Sequence, residues 1–315
     1  MRILWLDHPD RVDRYDKWLH TEFAKSLNDH CTVFVYGPKM DRLLPSLAPI
    51  AYAKEKSMKW ICHALKIDAI VVDTKSATYN VYYPQKQHES ITWLPDDFAE
   101  NKTCKVVIEE DYHYEEDDSW HKGIGARMVL QRHFSQSIRE HKCPVRFFPF
   151  SVDTSVFKPG KIDRVNTIAM VGSTIDPAYK HRVNACKELS KHGLATTWGD
   201  KTVIGDSYIL NLQSYTSHIS CSSTYDITPA KMFEIMASGS VLFTNRFCGI
   251  DSVFDQGTYV DFSTDMSDVV EKGKRILDDS DFRSKIVNNA MKCIYARHTN
   301  DIRCKELIRH IKDVI

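Results

Sequence analysis

Two acidic residues with a lysine between them, Asp226, Lys231 and Glu234, sit in residues 226–239, DITPAKMFEIMASG. Their spacing suits the binding of a phosphate and a neighbouring hydroxyl. Lys231 brings a full positive charge, and a helix starting just ahead of it would aim N–H groups and a positive dipole end at an anion. Thr228 is placed to cap that helix and Pro229 to occupy its first turn, where a missing N–H costs nothing. Gly239 suits the stop, since glycine takes the left-handed position after a helix cheaply. Met232, Ile235 and Met236 fall on one face, while Lys231 and Glu234, three apart, share another. Glu234 then lies about one turn deeper, where it could accept hydrogen bonds from a sugar hydroxyl. The ensemble suits a nucleoside diphosphate with its ribose; a plain amphipathic helix with a solvated Lys/Glu pair fits the same pattern.

The elements that must position these residues alternate between strand and helix. Residues 3–6, 32–36, 69–72 and 106–108 read as strands, and residues 15–27 and 58–65 as helices. Residues 127–139 read as a further helix and 146–148 as a short strand. Residues 147–164, FFPFSVDTSVFKPGKIDR, are rich in turn formers without helical period and read as a linker. Strands are then expected at 167–171, 195–198, 218–220 and 241–244, with helices at 179–192, 267–277 and 281–296. This order implies an α/β protein of doubly wound parallel sheets covered by helices. Ligands of such sheets sit at the carboxyl ends of the strands, which agrees with Gly172 and Ser173 after one strand and Asp226 after another.

At 315 residues the chain has room for two domains. With 43% hydrophobic and 27% charged residues it has the composition of a soluble globular protein. No apolar run approaches the ~20 residues needed to span a bilayer. MRILWLDHPDRVDR lacks the apolar core of a signal peptide, so the expected location is the cytoplasm. Nine cysteines without a Cys-x-x-Cys pair suggest neither a zinc site nor a disulfide framework. Lys+Arg and Asp+Glu balance at 42 each, which argues against tight non-specific nucleic-acid binding. The charge is uneven, however. Residues 109–118 are acidic, whereas Arg127, Arg132, Arg139, Lys142 and Arg146 form a basic stretch. That stretch reads as a solvated helix face or as a track for a phosphate backbone. The absence of G-x-G-x-x-G argues against a dinucleotide-dependent enzyme.

Asp226-x7-Glu234 followed by MASGSVLFTN resembles the acidic-x7-Glu signature of group 1 glycosyltransferases. This retaining family has the GT-B fold, two Rossmann-like domains facing across a cleft. PAKMFEIMASGSVLFTN is most similar to the branch that includes spore-maturation glycosyltransferases. RFFPFSVDTSVFKP resembles the family's interdomain passage, TIAMVGS the start of its nucleotide-binding domain, and HTNDIRCKELI its closing helix. The resemblance runs over residues 145–308; the earlier residues match only in strand–helix rhythm. It implies an acceptor-side domain at 1–150, a nucleotide-sugar domain at 151–297, and a helix at 298–315 crossing back to the first domain.

In that family the glutamate matching Glu234 contacts the donor ribose, and the acid matching Asp226 lies near the donor sugar. Asp226 is one methylene shorter than the family's usual glutamate. Lys180 and Arg182, with Gly172 and Ser173, fall where the family holds the diphosphate, although its usual Lys-Gly pair is absent. Thr228, Pro229 and Lys231 would complete that binding site. Asp111 and His113, in EEDYHY, lie at the mouth of a first-domain strand. Family members contact donor sugar or acceptor hydroxyl from there; a solvated acidic loop, or a general base of an inverting enzyme, are the other readings. Asp7, beside His8, stands where the family has a Gly-rich loop. The implied activity is transfer of a hexosyl or pentosyl group from a nucleotide-diphosphate sugar, a UDP-sugar first, to a glycan hydroxyl without metal or bound cofactor. Two alternatives are a viral-type DNA glycosyltransferase acting on a hydroxymethylated base through the basic stretch, and a non-catalytic nucleotide-sugar-binding scaffold.

Overall fold

The computed structural model describes residues 1–6, 21–38, 40, 46–53, 55–73, 94–109, 119–134, 143–170, 172, 179–197, 205–223 and 226–315. Its chain divides into two compact units. One comprises Met1–Arg132, Gln136–Phe148 and Asp301–Ile315; the other comprises His133–Ser135 and Pro149–Asn300.

The first unit is built on strands β1 (Arg2–Leu6), β2 (Thr32–Tyr36), β3 (Ala48–Pro49), β4 (Ala69–Asp73), β5 (Cys104–Glu109), β6 (Met128–Gln131) and β7 (Val145–Phe147). They form one parallel sheet in the order β3-β2-β1-β4-β5-β6-β7. Alternate residues of β1 feed two cores, as a sheet covered on both faces requires. Ile3 and Trp5 join Phe23, Ala24 and Leu27 of helix α1 (Thr21–Asn28), together with Cys304, Leu307 and Ile311 of the last helix, Asn300–Lys312. Leu4 and Leu6 join Met58, Ile61 and Cys62 of helix α2 (Met58–Leu65). Ser57 caps α2 by accepting the Trp60 N–H, and Asp97 accepts from Met58 and Lys59.

One expectation fails here. The helix read over residues 127–139 is, at Met128–Gln131, the buried strand β6, hydrogen-bonded in register to β5 and β7. MVLQ is an apolar run too short for its period to separate strand from helix.

The second unit carries β8 (Val165–Met170), β9 (Ala195–Thr197), β10 (Tyr215–Ile219), β11 (Val241–Asn245) and β12 (Val260–Phe262), parallel in the order β12-β11-β10-β8-β9. Helix α4 (Lys180–Lys191) follows β8, α5 (Gly205–Ser214) precedes β10, and α6 (Ala230–Ala237) joins β10 to β11; α3 is the short Ser119–Gly123 of the first unit. Ile168, Ile219, Val241 and Phe243 pack with Ala185 and Leu189 of α4. Toward α5 the sheet is polar: His218 lies between Asn211 Oδ1 at 3.2 Å and Ser240 Oγ at 2.7 Å. Burial depresses the His218 imidazole to about 3, so it stays neutral.

From β8 the chain passes to β9 on one side and then to β10 on the other. The strand order therefore reverses between the carboxyl ends of β8 and β10, the place where ligands of open parallel sheets bind.

Candidate functional site

Helix α6 begins one residue later than its sequence predicts. Pro229 is the N-cap, extended at φ −67° and ψ 144°, and no side chain caps the helix. Thr228 is not the cap; it is buried, and its backbone N–H donates to His133 Nδ1 at 3.2 Å. The proline ring fixes φ and has no N–H, which suits it to the boundary itself. At the other end Gly239 takes the expected left-handed conformation, φ +73°, and the Ser240 N–H returns to the Ile235 carbonyl at 3.2 Å. Met232, Ile235 and Met236 are fully buried. Phe233 packs 4.8 Å from Phe254 and 5.2 Å from His298, centroid to centroid, which fixes the helix's back face. Its opposite face carries Lys231 and Glu234.

Three elements converge on that face. Gly172, just past β8, has φ +128°, and a Cβ added there would lie 2.6 Å from Lys231 Nζ and 2.7 Å from Arg182 Nη1. Two cations thus crowd one point on a backbone that has no side chain to obstruct a ligand. Arg182, from α4, is 3% exposed, and its guanidinium lies 4.6 Å from the Tyr179 ring. Lys231 Nζ lies 5.5 Å from the ring of Tyr208, from α5. The Tyr208 hydroxyl donates to Glu234 Oε2. Glu234 is 2% exposed, and its Oε1 has no hydrogen-bond partner among the described residues.

Electrostatics follow from that enclosure. Burial pushes the Glu234 carboxyl up, against the Tyr208 hydrogen bond and the Lys231 charge, which pull it down. Burial pushes the Lys231 ammonium down, reinforced by Arg182 and opposed by Glu234. An anion placed beside both cations would relieve their mutual repulsion, and a hydroxyl donor would satisfy Glu234 Oε1.

Asp226 is half-buried. It holds a left-handed backbone, φ +54°, a conformation that costs a residue with a Cβ about 1–2 kcal/mol. Burial pushes its carboxyl up, while the Cys248 N–H donating to it and the nearby His181 pull it down. Lys180, at the start of α4, is exposed, so of the two predicted basic residues only Arg182 stands against Gly172. Ser173, Asp7, His8, Asp111 and His113 lie outside the described residues. Cys221 is buried with its thiol pushed up to about 12 by desolvation, which makes it no nucleophile.

Tyr208, Tyr179 and His133 were not predicted for this site, and none sits in a local motif that could have shown it. The first unit has a polar cluster of its own at the carboxyl ends of β5 and β6. There His121 Nε2 lies 2.5 Å from Glu109 Oε1, and the Gln131 side-chain amide donates to Glu109 Oε2. The basic stretch is not one solvated helix face. Arg127 and Arg146 are exposed, but Arg132 is 4% exposed and lies over Phe148 at 5.0 Å and Phe23 at 5.7 Å; Arg139 and Lys142 lie outside the described residues. Among the described residues no helix is long and apolar enough to cross a membrane.

Residues 169–309 match the family model described as glycosyl transferase-like. No curated protein shows significant sequence similarity to the chain. Among solved structures, a glycosyltransferase from Rickettsia africae is similar at TM-score 0.67 and 11% identity, over 99% of this chain and 98% of that one. HepE from Anabaena, in complex with UDP and glucose, is similar at TM-score 0.66 and 11% identity, over 99% and 100%. Sucrose-phosphate synthase from Thermosynechococcus elongatus is similar at TM-score 0.63 and 10% identity, over 99% and 98%. At these identities the likeness is one of fold, and the fold is GT-B.

Proposed function

We propose that this protein is a group 1-type glycosyltransferase of the spore-maturation-like branch, moving a sugar from a nucleotide-diphosphate donor to a glycan or glycoconjugate hydroxyl in the cytoplasm. The observation that carries the reading is the buried Glu234 Oε1, without a hydrogen-bond partner among the described residues, on the helix whose Lys231 converges with Arg182 on Gly172. Glu234 would accept from the donor ribose. Lys231, Arg182 and the start of α6 would hold the diphosphate and stabilise the charge that builds on it as the anomeric C–O bond breaks. These groups need no metal for that task. Asp226 would contact the donor sugar, and the new bond would form to the acceptor oxygen with retention. Residues 151–297 would then be the donor domain and residues 1–150 the acceptor side, with Asp7, Asp111 and His113 at its strand ends and residues 298–315 returning to it. A UDP-sugar is the favoured donor, supported by the UDP complexes of HepE. Burial of Arg132 removes one cation from the track that a DNA acceptor would need.

A thermal-shift panel of UDP, GDP, ADP, TDP and their sugar conjugates, run beside Glu234→Ala, tests this. A nucleotide present at 100 times its Kd stabilises the fold by about 2.7 kcal/mol, a readily visible shift. One base-selective shift, lost in Glu234→Ala, is expected; no shift with any nucleotide would overturn the transferase reading.

A further inference from the structure

The donor groups of α6 do not stand alone. Tyr208 comes from another element, α5, and touches both of them: its hydroxyl donates to Glu234 Oε2, and its ring lies 5.5 Å from Lys231 Nζ. The ring is itself held, 8% exposed and edge-on to Phe157 at 6.2 Å between centroids. Behind it, α5 is tied to the sheet by Asn211 at His218, and its carboxyl end to the linker by Arg164, which donates to the Leu212 carbonyl at 3.0 Å. A phenol fixed in this way has one use for its proton, and that proton goes to one oxygen of a buried carboxylate.

We infer that Tyr208 is the positioning residue of the ribose subsite: by occupying Glu234 Oε2 it fixes the carboxylate and leaves Oε1 as the acceptor that reads the ribose hydroxyls of a nucleoside diphosphate. The inference rests on the donor reading above. A buried carboxylate with two open oxygens would rotate between them and meet a diol in several ways. One oxygen held by a fixed phenol leaves a single direction of approach, and discrimination between ribose and a sugar without hydroxyls depends on that preorganisation. The Tyr208 ring beneath Lys231 couples the same residue to the diphosphate, but through a cation–π contact that phenylalanine retains.

This separation gives the test. ADP, GDP and UDP are each titrated beside their 2′,3′-dideoxy counterparts into the wild type, Tyr208→Phe, Glu234→Ala and the double variant, with the unliganded melting temperature of each recorded. In the wild type the ribonucleotide of the bound base is favoured. Tyr208→Phe weakens that ribonucleotide by about tenfold, the size expected for a hydrogen bond to a charged group, and leaves the dideoxy counterpart within about twofold. Because Tyr208 acts through Glu234, adding Tyr208→Phe to Glu234→Ala changes neither affinity further. Equal weakening of both nucleotides in Tyr208→Phe, or an unchanged ratio, overturns the positioning role while the donor reading stands. Should Tyr208→Phe be too unstable to titrate, a hydroxyl preference that survives in Glu234→Ala overturns it as well. A wild type that binds none of the three ribonucleotides overturns the donor reading and this inference together.

Discussion

What bears on the proposed site at Gly172 is the side chain it lacks. An alanine there would put a methyl group against Lys231 Nζ and Arg182 Nη1 on a backbone at φ +128°. Gly172→Ala should therefore weaken a nucleoside diphosphate by about tenfold or more while leaving the parent nucleoside near its wild-type affinity, about 1.4 kcal/mol being lost on the phosphates alone. Calorimetric titration of both ligands checks this; parallel losses would place the diphosphate elsewhere. Lys231 predicts a proton linkage. Burial and Arg182 hold its ammonium below the ordinary lysine range in the free protein, and a bound diphosphate would raise it again. Binding then takes up protons, so affinity falls as pH rises across the alkaline side. Lys231→Gln should bind more weakly at neutral pH and with a flatter profile, and an identical slope in the two proteins would exclude Lys231 from the site. Lys231 and Glu234 were placed on one face from the sequence because one short helix carries both, and Gly239 was legible as the stop that follows it. Tyr208 was not, because it reaches Glu234 from 26 residues away through the fold.

At the scale of elements, Arg164 joins two helix ends. It donates to the carbonyls of Leu212 at 3.0 Å and Tyr215 at 2.6 Å, at the close of α5, and to Ser238, at the close of α6. Cations at helix carboxyl ends also meet the negative end of the dipole. Arg164→Ala should cost about 1–3 kcal/mol of stability, since it strands enclosed carbonyls, and denaturant melts would measure it. A loss within error would mean that water replaces the guanidinium. The same region shows why α5 escaped the sequence. Its buried stripe, Tyr208, Asn211 and Leu212, has helical spacing, but an asparagine stands in the middle of it. Asn211 is tolerated there because His218 meets its side chain, a pairing no local pattern reveals. For β6 the error runs the other way: basic residues on both sides of MVLQ suggested a solvated helix face, whereas its four residues are buried between two strands.

For the molecule as a whole, strand–helix alternation was enough to read parallel α/β sheets, since parallel strands need crossovers and, among the described residues, α1, α2, α4 and α6 lie in them. The family-model match falls at residues 169–309, which hold the phrases around α6 and the closing helix but not the interdomain phrase at 146–159, while residues before 145 shared only rhythm. The first unit's central strands β1, β4, β5 and β6 are largely apolar and buried, and such runs carry fold more than chemistry. The second unit is not continuous in the gene. It draws His133–Ser135 from the middle of the first unit's sequence. His133 supplies the acceptor for the Thr228 N–H ahead of α6, and Phe134 fills the space at Gly249, where an added Cβ would lie 2.7 Å from it. Residues 149–300 are therefore not a portable cassette. A chimera that exchanged them for the matching stretch of another enzyme would leave a foreign α6 resting on a histidine selected for this one, so recombination can renew this half of the protein only by carrying three distant codons with it.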